Sequence, residues 1–444
     1  MKKLLAAVAV LAAVAMAAPV MAAADAPGYG VTIGGRIKAD FGWQIANDDY
    51  ISVNKADASV TNFFATLNSN SYLRTVFTSA DKTTGAFFEM GMWGLQNRNN
   101  DGSNAADNQV NIRHAYGWWK VGSCKLLVGQ FAGRLGDRYY AGQGLAGAKG
   151  GKFDLNGFGF IGGTRNPKLA LQMDVNDNFG FEVSIGQAGA EVNSFAGYGD
   201  ALDKAGNPIP KTSGTGNRPY QDYGSTNSYL PRLEVVLDFK FGNFMITPGA
   251  GIAYIGTKWD DRAITEPEDD NILSYLLWLP VKYENGPFYV MVNAYYGQNT
   301  DTDWTGENNG LYGTNGYSAH ATYGGQPGAL PFMNGKGEVE DTKSWGVGLA
   351  AGYSFTDQLA IKVGGGVTNL NNDAWEDVAD SDDSYTRWAA FIALPYKLTS
   401  NFTIQPEVAY YNYGSKVGPT YNNNGNQDDA ADEWVVGVHF IVLF

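Results

Sequence analysis

Apolar and polar residues alternate with period two along most of this chain. In "PKLALQMDVNDNFGFEVSIGQ", residues 167–187, Leu169, Leu171, Met173 and Val175 alternate with Ala170, Gln172 and Asp174. Past Asn176, Asp177 and Asn178 the alternation resumes, with Phe179, Phe181, Val183 and Ile185 set against Gly180, Glu182, Ser184 and Gly186. This pattern predicts a β-hairpin with one apolar and one polar face. A soluble sandwich turns the apolar face inward; a membrane barrel turns it outward into lipid.

The same test along the chain predicts strands at about 30–45, 69–79, 86–95, 108–121, 125–131, 167–175, 179–187 and 229–239. Further strands follow at about 243–256, 272–283, 288–297, 344–354, 359–368, 385–397, 402–414 and 433–444, sixteen in all. Short connections ("ADKTTG", "GSC", "NDN", "KFG", "ENGP", "FTDQ", "LTSN") fall at every second junction. The longer ones lie near 46–68, 96–107, 132–166, 188–228, 257–271, 298–343, 369–384 and 415–428. Strict alternation puts all the long loops at one end of an up-and-down meander. The expected fold is therefore all-β: a 16-stranded antiparallel transmembrane β-barrel with short periplasmic turns and long extracellular loops. The apolar face then points out.

Composition agrees with strands and turns rather than helices: 57 glycines, 14% aromatic and 17% charged residues. Mean hydropathy is −0.25, as expected where only every second strand residue is apolar. The opening "MKKLLAAVAVLAAVAMAAPVMAAADAP" has Lys2 and Lys3, an apolar run and small residues suited to cleavage after Ala22 or Ala24. It reads as a signal peptide over 1–24, leaving 25–444 as the barrel. Its removal takes two lysines from a net charge of −14, giving −16, which argues against nucleic acid as a partner. Cys124 is the single cysteine, so no disulfide within the chain is expected. Phe179, Phe239, Phe244, Tyr283, Phe288, Phe355, Tyr396 and Phe402 sit beside the short turns, as an interfacial girdle would. The chain ends "EWVVGVHFIVLF", with Trp434, Val436, Val438, Phe440, Val442 and Phe444 on one face. This resembles the terminal signal of outer-membrane barrels, with Phe440, Val442 and Phe444 as the residues that barrel-assembly machinery would read.

With "GGRIKADFGW", "QVNIRHAYGWWKVGSCKLLVGQ" and the terminal Phe444, the chain resembles the sixteen-stranded trimeric outer-membrane porins over essentially its whole mature length. It resembles in particular the homotrimeric porins of sulfate-reducing bacteria. The resemblance implies the outer membrane of a Gram-negative bacterium, a homotrimer among lipid and lipopolysaccharide, passive diffusion of small hydrophilic solutes, and a third loop folded into the lumen.

Sixteen strands are expected to enclose a water-filled channel rather than a packed core, with permeation set by bore and by charge at the narrowest point. The third long loop, 132–166, is the expected constriction. It carries Arg134, Arg138, Lys149, Lys152 and Arg165 against Asp137 and Asp154. The first four strands add inward Arg36, Lys38, Arg74 and Arg113, with Asp40 and Glu89 as acidic counterparts. Singly, such residues are as well explained as the solvation of a wet wall; together they predict an electropositive eyelet. Acids concentrate instead in outer loops, Asp260 to Asp270 and Asp373 to Asp383. A unit pair 4 Å apart in water is worth about 1 kcal/mol, and the Debye length at physiological salt is about 8 Å. Distant loop acids are thus screened, and local charge predicts anion preference, with small inorganic anions such as sulfate or phosphate as permeants.

The ordinary reading of the acidic loops is solvated tips. The sharper one is divalent-cation binding: "NTDTDWTG", Asn299 to Gly306, resembles the start of a calcium loop but has Gly310 where the twelfth-position acid belongs. No cofactor and no catalytic or metal residue is expected, with calcium at these loops as the alternative. Rival readings are a sugar-specific porin, for which Tyr139, Tyr140, Phe153, Phe158 and Phe160 would supply an aromatic track, a cation-preferring porin, and a non-conducting adhesin. An enzyme is not expected: His114, His320 and His439 are the only histidines, and HExxH, Walker and Rossmann fingerprints are absent.

Overall fold

The computed structural model describes residues 30–46, 60–67, 71–93, 109–137, 155, 158–161, 165–188, 224–259, 271–300, 304, 329, 331–333, 339–373, 383–412, 414 and 432–444. These residues form a closed antiparallel barrel of sixteen strands. The first half is β1 (Gly30–Ala46), β2 (Val60–Leu67 and Tyr72–Thr78), β3 (Thr84–Trp93), β4 (Gln109–Val121), β5 (Cys124–Ala132), β6 (Arg165–Asn176), β7 (Phe179–Gly186) and β8 (Gly224–Phe241). The second half starts with β9 (Phe244–Ile246 and Gly249–Trp259), β10 (Asn271–Asn285), β11 (Phe288–Gln298) and β12 (Lys343–Ser354). It ends with β13 (Ala360–Asn371), β14 (Ser384–Ala393 and Tyr396–Lys397), β15 (Phe402–Asn412) and β16 (Asp432–Leu443). Each strand pairs with its neighbours in sequence, and β16 pairs with β1 over Arg36–Ala46, so no edge is left open.

The three interrupted strands have local causes. Pro248 and Pro395 have no N–H to give to the ladder, and each instead accepts through its carbonyl, from Leu237 and Ala360. In β2 the Ser71 hydroxyl replaces the ladder, accepting from the Lys38 N–H (2.9 Å) and donating to the Lys38 carbonyl (3.1 Å). The second strand begins at Val60, so the first long connection is shorter than the expected 46–68.

The apolar face points outward. Val31, Ile33, Ile37, Phe41, Trp43 and Ile45 of β1 are all exposed, while Lys38, Asp40 and Gln44 between them are buried on the lumenal side. The short-turn rim carries the expected aromatics, with Phe179 stacked on Phe239 (5.1 Å) and Phe244 against Tyr283 (4.8 Å). A second girdle, not read from the sequence, lies toward the long-loop end: Trp43 meets Phe63 (5.3 Å), and Tyr410 meets both Trp388 (5.0 Å) and Trp434 (4.8 Å). Two aromatic belts bounding an apolar band fit the two interfaces of a bilayer. Leu277, midway along β10 and 54% exposed, lies between them. Leu277→Arg is expected to cost about 2–4 kcal/mol of folding free energy in lipid vesicles, measured by denaturant titration.

The seam that closes the barrel holds a buried charged group. His439 Nδ1 lies 2.6 Å from Asp40 Oδ1, across the β16–β1 pairing, and His439 Nε2 lies 3.3 Å from Glu407 Oε2 on β15. Gln405 donates to the same Glu407 carboxylate (2.9 Å). The imidazole therefore sits between two acids that would otherwise repel. His439→Leu is expected to destabilise the barrel by about 1–3 kcal/mol, the usual cost of leaving buried polar groups without their partner, read as a lower denaturant midpoint.

Candidate pore constriction

After β5 the chain makes one helical turn, α1 (Arg134–Asp137), whose Leu135 is buried where Gly249 of β9 leaves space beside Trp278. Further along the third loop, Leu155, Phe158, Phe160 and Ile161 are buried. They reach the far wall, strands β11 to β15. Gly159 donates its N–H to Thr368 Oγ1 (2.8 Å), and its carbonyl accepts from Asn293 Nδ2 (2.8 Å). Phe158 meets Tyr411 edge-on at 5.3 Å and has the Arg387 guanidinium 5.6 Å from its ring centroid.

Glycines make this docking geometrically possible. Gly346 and Gly348 of β12 and Gly364 and Gly366 of β13 occupy consecutive inward positions, paired as Gly346 with Thr368, Gly348 with Gly366 and Ala350 with Gly364. A Cβ on Gly348 would meet the Phe160 ring at 2.3 Å, and one on Gly366 would meet the Phe158 carbonyl oxygen at 2.1 Å. Gly159 itself has φ +79° and lies so close to Val347 that a Cβ there would meet the carbonyl at 2.1 Å. Gly348 and Gly366 thus leave the room in which Phe158 to Phe160 seat, while Tyr295 and Phe391 fill the space over Gly346 and Gly364.

The docked loop joins a continuous apolar cluster with Ile255, Ile272, Leu276, Trp278, Met291 and Tyr295 on β9 to β11. The expectation of a lumen without a packed core holds only in part. Inward side chains from β9 to β15 are largely buried, whereas Tyr72, Tyr116 and Trp118 on β2 and β4 are half-exposed and Arg74 is exposed; the Arg113 side chain is 10% exposed. The described loop residues 158–161 are seated on the β11 to β15 side, and the half-exposed wall is β2 to β4.

On that wall three of the expected basic residues converge. Arg36, Arg74 and Arg113 lie 5.0, 5.8 and 5.9 Å from the centroid of the Tyr72 ring. Arg113 is the extra residue of a β-bulge opposite Glu89–Met90, which turns it and His114 to the same side; its Nε is 2.8 Å from Glu89. Arg165, at the loop's return, donates to His114 Nε2 (3.2 Å). Arg74 makes no ion pair among the described residues and is the exposed cation of the group. Lys38 is on the same inward face but is only 1% exposed. Arg138, Lys149 and Lys152 lie outside the described residues.

Arg134 is held in a separate group on β6 to β8. It is 2.6 Å from Asp238, 3.2 Å from Asp174 and 4.0 Å from Glu182. Beside it Glu234 receives Lys168 (3.2 Å), Arg232 (3.1 Å) and the Ser184 hydroxyl (2.8 Å). Acid and base are interleaved here, so Arg134 brings no net positive field to the lumen. The acids of this group were not singled out from the sequence, although Glu182, Glu234 and Asp238 stand at inward alternate positions.

Some residues singled out for the two alternative readings, sugar track and calcium loop, have defined places. Phe158 and Phe160, candidates for a sugar-binding aromatic track, are buried in the loop's docking site; Tyr139, Tyr140 and Phe153 lie outside the described residues. Asn299, first residue of the calcium-like stretch, uses its carboxamide to accept from the Thr342 N–H (2.9 Å) and to donate to Asp341 (2.6 Å), tying β11 to β12. Its neighbour Trp304 turns inward, packs on Gly251 and donates to Glu234 (3.2 Å). At the terminus, Phe440 is on the outer face against Phe41 (5.6 Å), Val442 pairs with Ile37 and Phe402, and Phe444 exchanges backbone hydrogen bonds with Gly35.

No protein-family model and no curated protein matches the chain. Solved structures do. The outer membrane channel DcaP of Acinetobacter baumannii superposes with a TM-score of 0.59 at 15% identity, covering 94% of this chain and 98% of that one. An anion-selective porin from Comamonas acidovorans gives 0.50 at 11% identity, over 94% and 100%. OmpF of Salmonella typhi, in complex with daunomycin, gives 0.50 at 11% identity, over 93% and 97%. At these identities the likeness is one of fold, that of an outer-membrane porin barrel.

Proposed function

We propose that this chain is a porin of the Gram-negative outer membrane, exported by a leader over 1–24 and working as a homotrimer among lipid and lipopolysaccharide. It passes small hydrophilic solutes by diffusion and prefers anions, inorganic oxyanions such as sulfate or phosphate among them. No catalytic step is part of the reading. The observation that carries it is that third-loop residues 158–161 are seated inside the barrel on β11 to β15, while an arginine cluster lines β1 to β4. A loop so placed narrows the pore, and the charge left facing it is positive: Arg36, Arg74 and Arg113 share the acid Glu89. On β6 to β8 the four acids Asp174, Glu182, Glu234 and Asp238 face three bases, Arg134, Lys168 and Arg232, leaving one net negative charge there against two net positive charges in the arginine cluster.

The test is the zero-current potential of purified protein in a planar bilayer under a KCl gradient. Chloride preference supports the reading. Potassium preference refutes the anion assignment and leaves the porin; absence of conductance moves a non-conducting adhesin to the front.

A further inference from the structure

The half-exposed wall carries more than arginines. On β4 the inward residues His114, Tyr116 and Trp118 stand one above another, with centroids 6.3 and 6.2 Å apart. This is the spacing that the two-residue rise of a strand imposes. Phe87 of β3 stacks on Tyr116 at 5.3 Å with an interplanar angle of 19°, widening the central rung. Below it the Trp118 ring occupies the space over Gly85, where a Cβ would meet it at 2.1 Å. A residue other than glycine there would push the indole off the wall. Leu127, Phe131 and Ala170 back this ladder as a small buried cluster.

The lower end of the ladder has the Lys125 ammonium 4.9 Å from the Trp118 centroid. The upper end meets Arg113 and the exposed Arg74 around Tyr72. Glu89, the acid beside them, is bound by Arg113. Aromatic faces offer stacking area to flat apolar groups, and cations at both ends favour a negative charge. A sugar site would set acids or amides around its ring faces to take hydroxyl protons; here cations lie at both ends, and the nearby acids Glu89 and Asp174 are held by Arg113 and Arg134.

We propose that this ladder is a binding track for carboxylate anions that carry an aromatic ring, running from the arginine cluster toward the short-turn mouth. The inference rests on the porin reading. In a plain aqueous hole the smaller acetate outruns benzoate, because it diffuses faster. The ladder reverses this order.

The experiment measures zero-current potentials with potassium acetate on one side of the bilayer and potassium benzoate on the other, after conduction in KCl has been recorded. In the native protein, benzoate should permeate more readily than acetate. The double variant Tyr116→Ser, Trp118→Ser should lower the benzoate-to-acetate ratio roughly two- to tenfold, the size expected of lost aromatic contacts. A native ratio below one, or an unchanged ratio in the variant, overturns the proposal. Absence of KCl conductance in the native protein would instead overturn the porin reading. Should the variant fail to fold, two readouts remain: Phe87→Leu lowers the ratio by itself, and millimolar benzoate, but not acetate, reduces KCl current through the native channel. Equal effects of the two salts overturn the proposal without any variant.

Discussion

Gly366→Val is expected to free the third loop and raise single-channel conductance, with larger neutral sugars then entering in liposome-swelling assays. The native latch combines two hydrogen bonds through Gly159, about 1 kcal/mol each, with burial of Phe158 and Phe160, about 1.5–3 kcal/mol each. That is gross stabilisation large enough to hold the loop against thermal motion. A Cβ at Gly366 would stand 2.1 Å from the Phe158 carbonyl oxygen and 3.0 Å from that of Val347. Both obstacles are backbone, which cannot rotate aside as a side chain can, so the loop tip has to leave. The strand itself should accept valine, a good β former. Gly348→Val presses on the Phe160 ring instead, which can tilt, and its effect should be smaller. Unchanged conductance in Gly366→Val would mean that the loop does not set the bore.

Arg74→Glu is expected to turn chloride preference into potassium preference. Arg74 is exposed and stands directly opposite Glu89 in the β2–β3 register. The substitution changes the local charge by two units and leaves Arg113 to compensate two neighbouring acids. A unit pair at 4 Å is worth about 1 kcal/mol in water and about 4 kcal/mol at an effective dielectric constant of 20. Each 1.4 kcal/mol is a factor of ten, so the anion-to-cation permeability ratio should fall by roughly tenfold or more. Arg74→Gln should produce about half the change in potential. At 1 M salt, where the Debye length is about 3 Å, both effects should shrink. A native sign in Arg74→Glu at 0.1 M would assign selectivity to Arg138, Lys149 and Lys152 in the loop.

The two predictions draw on different levels of information. Arg36, Arg74 and Arg113 could be read as inward from alternation, because strand period two is a local property. Their convergence on Tyr72 required the register of β1 to β4, including the bulge that brings His114 to the same side as Arg113. The latch was less legible. Glycines at inward positions of "KSWGVGLAAGYS" and "AIKVGGGVTNL" mark wall positions without side chains, yet nothing local says that Phe158 and Phe160 will seat there. Arg134 shows the same limit. By composition it belongs to a basic loop; by contact it belongs to Asp174, Glu182 and Asp238.

Sequence alone determined the strand number, the outward apolar face, the sorting of short turns from long loops, and the strand that ends in Phe444. Each follows from alternation or turn chemistry within a few residues, where the backbone's own geometry dictates the outcome. The tertiary structure decided where the third loop docks, which charges are cancelled, and which wall keeps its cations and rings half-exposed. Those outcomes rest on contacts between distant positions: Gly159 with Thr368, 209 residues apart, Arg134 with Asp238, 104 apart, and Asp40 with His439, 399 apart. Local pattern restricts each strand to one face and one direction, but only closure of the barrel brings a given inward residue across from another. The chemistry of the pore is made of those meetings.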